Sequence, residues 1–396
     1  MSGTVKVCHL ITTLELGGAQ DNTLHTVRGL RAPFQASLIA GPGGLLDEEA
    51  RSIPGVEVRF ERSLVRPIRP WRDLRAVAAL TRALKRLRPD IVHTHSSKAG
   101  IVGRAAARAA RVPIIVHSIH GFGFHDGQPA WLRTGLIGLE RAAAPLTTHF
   151  VAVSRANLER GAALGIVAPE RATVIRSGIH IDAFVAAAAV AGAPGRASLR
   201  RELGLPDGTP LVGMVACLKP QKAPLDFVDA AARVSAARPE VRFVMVGDGE
   251  LRPAVEARAR AVGLEGRLHL LGWRRDIPEV MAALDIVVLT SLWEGLPRVV
   301  PEAIAAGRPV VATAVDGTAE ILRDGDNALV AAPGDKVGIA ARIARLLSEP
   351  DLGPRLVGKA RPLLSEFDID AMVRAQESLY RRLLEDAARR GVPRAA

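Results

Sequence analysis

Short apolar runs and amphipathic stretches take turns along this chain. Apolar runs recur at residues 5–11, 36–40, 56–60, 90–93, 113–117, 149–153 and 173–175. Such short apolar runs read as strands. Helical periodicity lies between them, as at 71–87 and 98–111. That order predicts a parallel sheet covered by helices on both sides. From 182 to 209 the pattern stops. Gly192, Pro194, Gly195, Pro206 and Gly208 cluster there, and the segment reads as a linker with one short helix near 197–203. Alternation resumes at 211–216, 241–246, 267–270, 285–289, 309–312 and 327–330, and the chain closes on a long amphipathic helix at 368–388. The expectation is an α/β chain with an N-terminal domain over 1–182, a linker over 183–209, a second domain over 210–366 and a terminal segment over 367–396. Two doubly wound, Rossmann-like sheets would offer a cleft between their carboxyl ends.

Composition narrows the function. A chain of 396 residues fits two cores better than one. Aromatic residues make up only 4%, too few for a base-stacking platform, and no nucleic-acid-binding motif appears. Cys8 and Cys217 both sit in apolar strand-like runs, which suits buried thiols in a reducing compartment. The apolar run 183–190 is too short to span a bilayer, and a strand at the start leaves no pattern of a secretory leader. The expected place is the cytoplasm, either free or peripheral on the inner face of the membrane. The net charge of +12 is uneven: residues 1–200 hold 26 Lys and Arg against 14 Asp and Glu, and the remainder hold 27 against 27. The excess reads either as solvated helix faces or as a half that meets an anionic partner, such as a membrane surface.

The chemistry concentrates in residues 289–307. A buried strand ends there, turns at Glu294-Gly295 and enters a helix with Pro297 expected at its first position. Free N–H groups of a first helical turn suit an anion. Glu294 and Glu302, carboxylates that seek hydroxyls, bracket the turn. The matching ligand is a sugar joined through a diphosphate to a nucleoside. With the framing Ser-Leu-Trp-Glu-Gly-Leu-Pro and Pro-Glu-Ala-Ile-Ala-Ala-Gly-Arg-Pro, this stretch resembles the signature of family-4 retaining glycosyltransferases of the GT-B fold.

The resemblance implies that the final helix returns to pack on the first domain, and it implies a set of roles. Glu302 would bind ribose hydroxyls and Glu294 the sugar ring, with Gly295, Leu296, Arg298 and Val299 around the diphosphate. Gly17 and Gly18 match the family's glycine loop beside the donor, and His120 its histidine near the reacting centre. His125 would serve the acceptor. Cys217 falls where the family commonly has arginine, so Lys219 is the substitute cation beside Lys222. Two cations would neutralise the departing diphosphate. Trp273 or Arg274 would stack on the base, with a core anchor as the other reading of Trp273. His120, Lys222 and Glu294 are the catalytic candidates, and closure of the two domains would complete the site.

No metal ligand set or cofactor is expected. His93 and His95 lack a carboxylate or thiol at zinc spacing. Asp324-Gly325-Asp326 and Asp368-Ile369-Asp370 read as a turn and a helix start, and residues 353–360 only approximate a phosphate loop. The substrate would be a nucleotide diphosphate sugar, UDP-linked in preference to GDP-linked, and the acceptor a glycan or lipid-linked hydroxyl. A nucleotide-sugar epimerase or hydrolase of the same fold, and a decayed nucleotide-sugar-binding protein, stay open as alternatives.

Overall fold

The structure, a computed structural model, describes residues 3–190 and 194–394. The chain divides into two units, Met1–Gly178 with Ile369–Ala396, and Ile179–Asp368.

The first unit carries β1 (Val5–Thr13), β2 (Phe34–Gly41), β3 (Glu57–Phe60), β4 (Ile91–His95), β5 (Ile114–Ile119), β6 (His149–Ala152) and β7 (Ala172–Val174). They form one sheet in the order β3-β2-β1-β4-β5-β6-β7, with every pair parallel. The order reverses between β1 and β4, the point at which open α/β sheets bind ligands. Strand periodicity sorts β1 by face. Val5 and Val7 pack with Met372, Tyr380 and Leu383 of the helix Ile369–Arg389. Cys8 and Leu10 pack the other way, with Leu80 and Leu84 of the helix Pro70–Leu87 and with Val102 of the helix Ser97–Ala109. The final helix therefore returns to the first unit, as the resemblance implied. Polar contacts fix it there: the Arg31 amide donates to Glu377 Oε1 at 2.7 Å, and Gln376 Nε2 donates to Thr26 Oγ1 at 3.1 Å.

The second unit carries β8 (Leu211–Val215), β9 (Arg242–Val246), β10 (Leu268–Leu270), β11 (Ile286–Leu289), β12 (Val310–Thr313) and β13 (Leu329–Ala331). They too form a parallel sheet, in the order β10-β9-β8-β11-β12-β13, which reverses between β8 and β11. Its core gathers Met214, Phe227, Phe243, Val288 and Ile343.

The linker expected over 183–209 takes a different form. The helices Ile181–Val190 and Pro194–Glu202 belong to the second unit and pack on its helix Ile277–Ala283. Phe184 and Leu199 are buried there. Arg200 ties the segment down, with Nη2 on Asp285 Oδ2 at 2.7 Å and Nε on the Ala283 carbonyl at 3.2 Å. A guanidinium so held by its neighbours makes a packed element, not a tether. Gly192, part of that expectation, lies outside the described residues.

Candidate active site

In the second unit the two strands at the reversal hand their chains to two loops that are sewn together. The chain leaving β8 runs through Cys217 and Lys219 into the short turn Pro220–Lys222. The chain leaving β11 runs from Thr290 to Gly295. The Leu292 amide donates to the Gln221 carbonyl at 2.8 Å, and Gln221 Nε2 donates to the Trp293 carbonyl at 2.9 Å. Thr290 Oγ1 donates to the Lys222 carbonyl at 2.8 Å. Inside this seam, Lys222 Nζ forms an ion pair with Glu294 Oε1. Ser291 Oγ donates to the same oxygen at 2.6 Å. Only 5% of the Glu294 side chain and 16% of that of Lys222 are exposed, so the pair is largely screened from water. A charge pair in that setting depends on both members, because removing one strands the other.

A third loop props up the second. Asp316, just after β12, accepts the Glu294 amide on Oδ2 at 2.9 Å. Gly317 lies so close that a Cβ there would sit 2.2 Å from the Gly295 carbonyl oxygen. Beyond the turn, Arg298 and Glu302 form a second ion pair at 3.6 Å, each side chain 13% exposed. The helix Val299–Ala305 begins after Arg298, so Pro297 precedes the helix and is not its first residue. Proline here shapes the approach, and its carbonyl accepts the Val300 amide at 3.2 Å.

Other expected donor residues lie on the loops that follow β8 and β10. Lys219 opens the Pro220–Lys222 turn and is half-buried, its amide donating to the Cys217 carbonyl at 2.9 Å. Trp273 is 41% exposed, which removes the core-anchor reading. Arg274 has its nitrogens engaged: Nε and Nη2 on Asp276 at 2.8 and 2.6 Å, and Nη1 on Glu202 at 2.7 Å. Its edge clamps the loop to the helix Pro194–Glu202, and only its flat face remains to stack on a base.

In the first unit, Gly17 caps the helix Gly18–Gly29 at the end of β1. Within the chain, a Cβ at Gly17 would meet only the mobile end of Gln20, at 2.9 Å, so packing alone does not demand glycine there. His120 follows β5 and is half-buried. Its Nε2 lies 3.1 Å from His95 Nδ1, and His95 Nε2 lies 3.0 Å from His9 Nδ1. His93 packs against His95 but hydrogen-bonds elsewhere, with Nδ1 2.5 Å from the Tyr380 hydroxyl and Nε2 2.7 Å from Ser118 Oγ. Burial lowers the His120 pKa to about 4 and that of His9 to about 3. Burial first, and neighbouring imidazoles second, hold His93 and His95 well below the usual histidine range. His125 lies in a turn, its carbonyl accepting the Gln128 amide at 3.2 Å.

The sequence reading missed His9, which gathers with His93 and His95 into a group whose possible ligand atoms all lie within 4.8 Å of one another. Its signal was an imidazole inside an otherwise apolar strand. Asp316, Gln221 and Ser291 were also missed, since only the strand order brings their loops together. The two acidic decoys resolve as expected. Asp324 accepts the Val330 amide at 2.7 Å and Asp326 pairs with Lys359 at 2.7 Å, both holding a turn, and Asp368 and Asp370 flank the start of the final helix. Residues 353–360 lie in the helix Leu352–Ala360, which follows another helix and no strand.

The sequence and the fold have counterparts among known proteins. The model described as Glycosyltransferase Family 4 matches residues 16–183, and that described as Glycosyl transferases group 1 matches residues 209–349. A UDP-Gal:alpha-D-GlcNAc-diphosphoundecaprenol alpha-1,3-galactosyltransferase of Escherichia coli is 35% identical over 322 residues, covering 79% of this chain and 80% of its own. The chain belongs to the family-4 glycosyltransferases of the GT-B fold. Among solved structures, this glycosyltransferase resembles Anabaena HepE in complex with UDP-glucose, with a TM-score of 0.78, 25% identity, and coverage of 95% of this chain and 99% of that one. Sucrose-phosphate synthase from Thermosynechococcus elongatus shares the fold at a TM-score of 0.83 and 19% identity, covering 97% of this chain and 100% of its own. In the second unit of this glycosyltransferase, Lys222 and Glu294 meet at the strand-order reversal, the position where ligands bind open α/β sheets.

Proposed function

We propose that this glycosyltransferase moves a sugar from a nucleotide diphosphate, UDP-linked in preference to GDP-linked, to a hydroxyl of a glycan or lipid-linked acceptor. The anomeric configuration is retained and no metal or cofactor takes part. The observation that carries this reading is the buried Lys222–Glu294 pair between the β8 and β11 loops. The donors named for relatives support the UDP preference: UDP-Gal for the Escherichia coli enzyme and UDP-glucose for the HepE complex. The diphosphoundecaprenol in the former's name supports a lipid-linked acceptor.

In this reading Glu302 takes the ribose hydroxyls, Glu294 the sugar ring, and Gly295, Leu296, Arg298 and Val299 surround the diphosphate. Gly17 and Gly18 approach the donor by backbone, Lys219 adds charge, and Trp273 or the face of Arg274 stacks on the base. Lys222 divides its charge between Glu294 and the phosphate that leaves, which lowers the cost of the developing anion. One oxygen of Glu294 is already engaged by Lys222 and Ser291, an arrangement for a fixed anion rather than a nucleophile. A front-face exchange follows: the bond from the anomeric carbon to phosphate oxygen breaks, the bond to acceptor oxygen forms on the same face, and the acceptor proton passes to the leaving phosphate.

The same reading puts the protein on the inner face of an anionic membrane. Among the described residues no helix is long and apolar enough to cross one. Ile68, Trp71 and Leu74 are exposed, Trp71 at 80%, and Arg66, Arg69, Arg72 and Arg75 stand exposed among them. Aromatic and aliphatic side chains interleaved with arginines suit an interfacial face.

The product's anomeric configuration, compared with the donor's by NMR, tests the reaction. Inverted product would end the retaining assignment. Glu302→Ala is expected to weaken donor binding and Lys222→Ala to slow transfer; unchanged kinetics in both would remove the site.

A further inference from the structure

His9, His95 and His120 form a single file. β1 and β4 are neighbours, with His9 opposite His93 in register, and His95 is two residues farther along β4. His120 follows β5, the next strand. His9 and His95 are fully buried. The contacts run His9 Nδ1 to His95 Nε2 at 3.0 Å and His95 Nδ1 to His120 Nε2 at 3.1 Å. At the inner end, His9 Nε2 is buried with no partner.

A neutral imidazole has one N–H and one lone pair. Three neutral rings joined by two hydrogen bonds therefore admit two proton arrangements only. If donation runs inward, His9 accepts on Nδ1 and carries its proton on Nε2, a buried donor with nothing to meet. If it runs outward, His9 donates from Nδ1 and leaves on Nε2 only an unused lone pair. Orphaned buried N–H groups are rarer than under-used acceptors. The outward arrangement wins. His95 then accepts on Nε2 and donates from Nδ1, and His120 accepts on Nε2 and keeps its proton on Nδ1.

We infer that His9 and His95 are positioning residues that lock His120 in its Nδ1–H tautomer, so that this ring offers the substrate a hydrogen-bond donor and no base. The inference rests on the reading of His120 as a donor-sugar contact and gives that contact a direction. Nδ1–H can donate to a sugar hydroxyl or a phosphoryl oxygen. Nε2, its lone pair held by His95, is not available to take the acceptor's proton. That proton must go elsewhere, as the front-face exchange requires.

A metal in the same cluster is the competing occupant. Two tetrahedral zinc ligands at about 2.1 Å leave their nitrogens about 3.4 Å apart. His9 Nδ1 and His95 Nε2 are closer than that, at 3.0 Å. The His93 ring lies over that of His95, with centroids 4.3 Å apart and planes 30° apart, so their in-plane lone pairs do not converge well on one point.

Ring 15N–1H spectra of the full-length, histidine-labelled protein test the inference without any substrate. The expected wild-type result is protonated Nδ1 and unprotonated Nε2 at His9, His95 and His120. His9→Leu should release His95 and His120 toward the Nε2–H form, with loss of roughly tenfold or more in transfer and unchanged UDP affinity. A wild-type His120 protonated on Nε2, or stoichiometric zinc with metal-shifted His9 and His95 signals, overturns it. If the tautomers are as expected but His120→Ala transfers normally, the lock stands and the role of His120 in the reaction falls. If His9→Leu does not fold, the wild-type spectrum alone decides.

Discussion

Gly317→Ala tests whether the Glu294 loop is held in place by its neighbour. The added methyl carbon would lie 2.2 Å from the Gly295 carbonyl oxygen, 3.1 Å from the Gly295 carbonyl carbon and 3.2 Å from Leu296 Cα. The obstacles are backbone atoms, so no side chain can swing aside. Restoring an ordinary contact requires about 1 Å of movement. Glu294, the residue before Gly295, hangs from Asp316, the residue before Gly317. The displacement is therefore delivered to the Lys222–Glu294 pair. Overpacking of this kind costs about 1–3 kcal/mol. For a unit of this size that lowers the melting temperature by roughly 2–4 °C per kcal/mol. Misplacement of a substrate contact by about 1 Å costs on the order of 100-fold in rate. Thermal unfolding and UDP release from the accepted donor measure the two effects. Gly138→Ala, in a helix where nothing lies within 4 Å, is the control and should gain about 0.5–1 kcal/mol without affecting transfer. Wild-type melting and turnover in Gly317→Ala would refute the packing argument. A destabilised variant with full turnover would refute the link to Glu294.

Three further expectations concern pH, a buried charge and the membrane face. The folded-state pKa values of His9 and His120, about 3 and about 4, lie below the ordinary value, so their contribution is complete above about pH 6.5 and is lost as pH falls toward those values. Each adds a slope of about 1.4 kcal/mol per pH unit while the unfolded chain alone takes up the proton; a urea midpoint flat from pH 6.5 to 4 would contradict neutral burial. Arg104, fully buried, meets Glu140 at 2.6 Å and Thr147 Oγ1 at 3.2 Å, so Glu140→Ala should cost about 3–5 kcal/mol in denaturant titration, and a paired Arg104→Met, Glu140→Leu change far less. Trp71→Ser with Leu74→Ser should abolish binding to phosphatidylserine vesicles, and wild-type binding should weaken with salt; binding indifferent to both would remove the proposed face.

Both sheets were legible because parallel strands are buried on two sides and spell themselves as short apolar runs. The final helix was legible through its amphipathic period. The helix at 181–190 was hidden, and the one at 194–202 was read only as a short helix near 197–203 within a linker, because nearby glycine and proline imitate a tether, while the guanidinium that ties the segment down reaches residues such as Asp285, far away in sequence. Glu294, Glu302 and Lys222 could be read from local motifs. Their supports could not. Asp316 and Gln221 reach Glu294 and Trp293 only because β12 and β8 flank β11. His9 reaches His95 only because β1 lies beside β4.

One arrangement bears on how the protein is made. The ribosome finishes the strands of the first sheet long before it reaches the helix whose Met372, Tyr380 and Leu383 cover Val5, Val7 and Ile91. At roughly 5–20 residues per second, the whole of Ile179–Asp368 takes on the order of ten seconds or more to emerge in between. Through that interval the apolar face that includes Val5, Val7 and Ile91 lacks its covering helix. The unit begun first is sealed only after the whole of the other unit has been made.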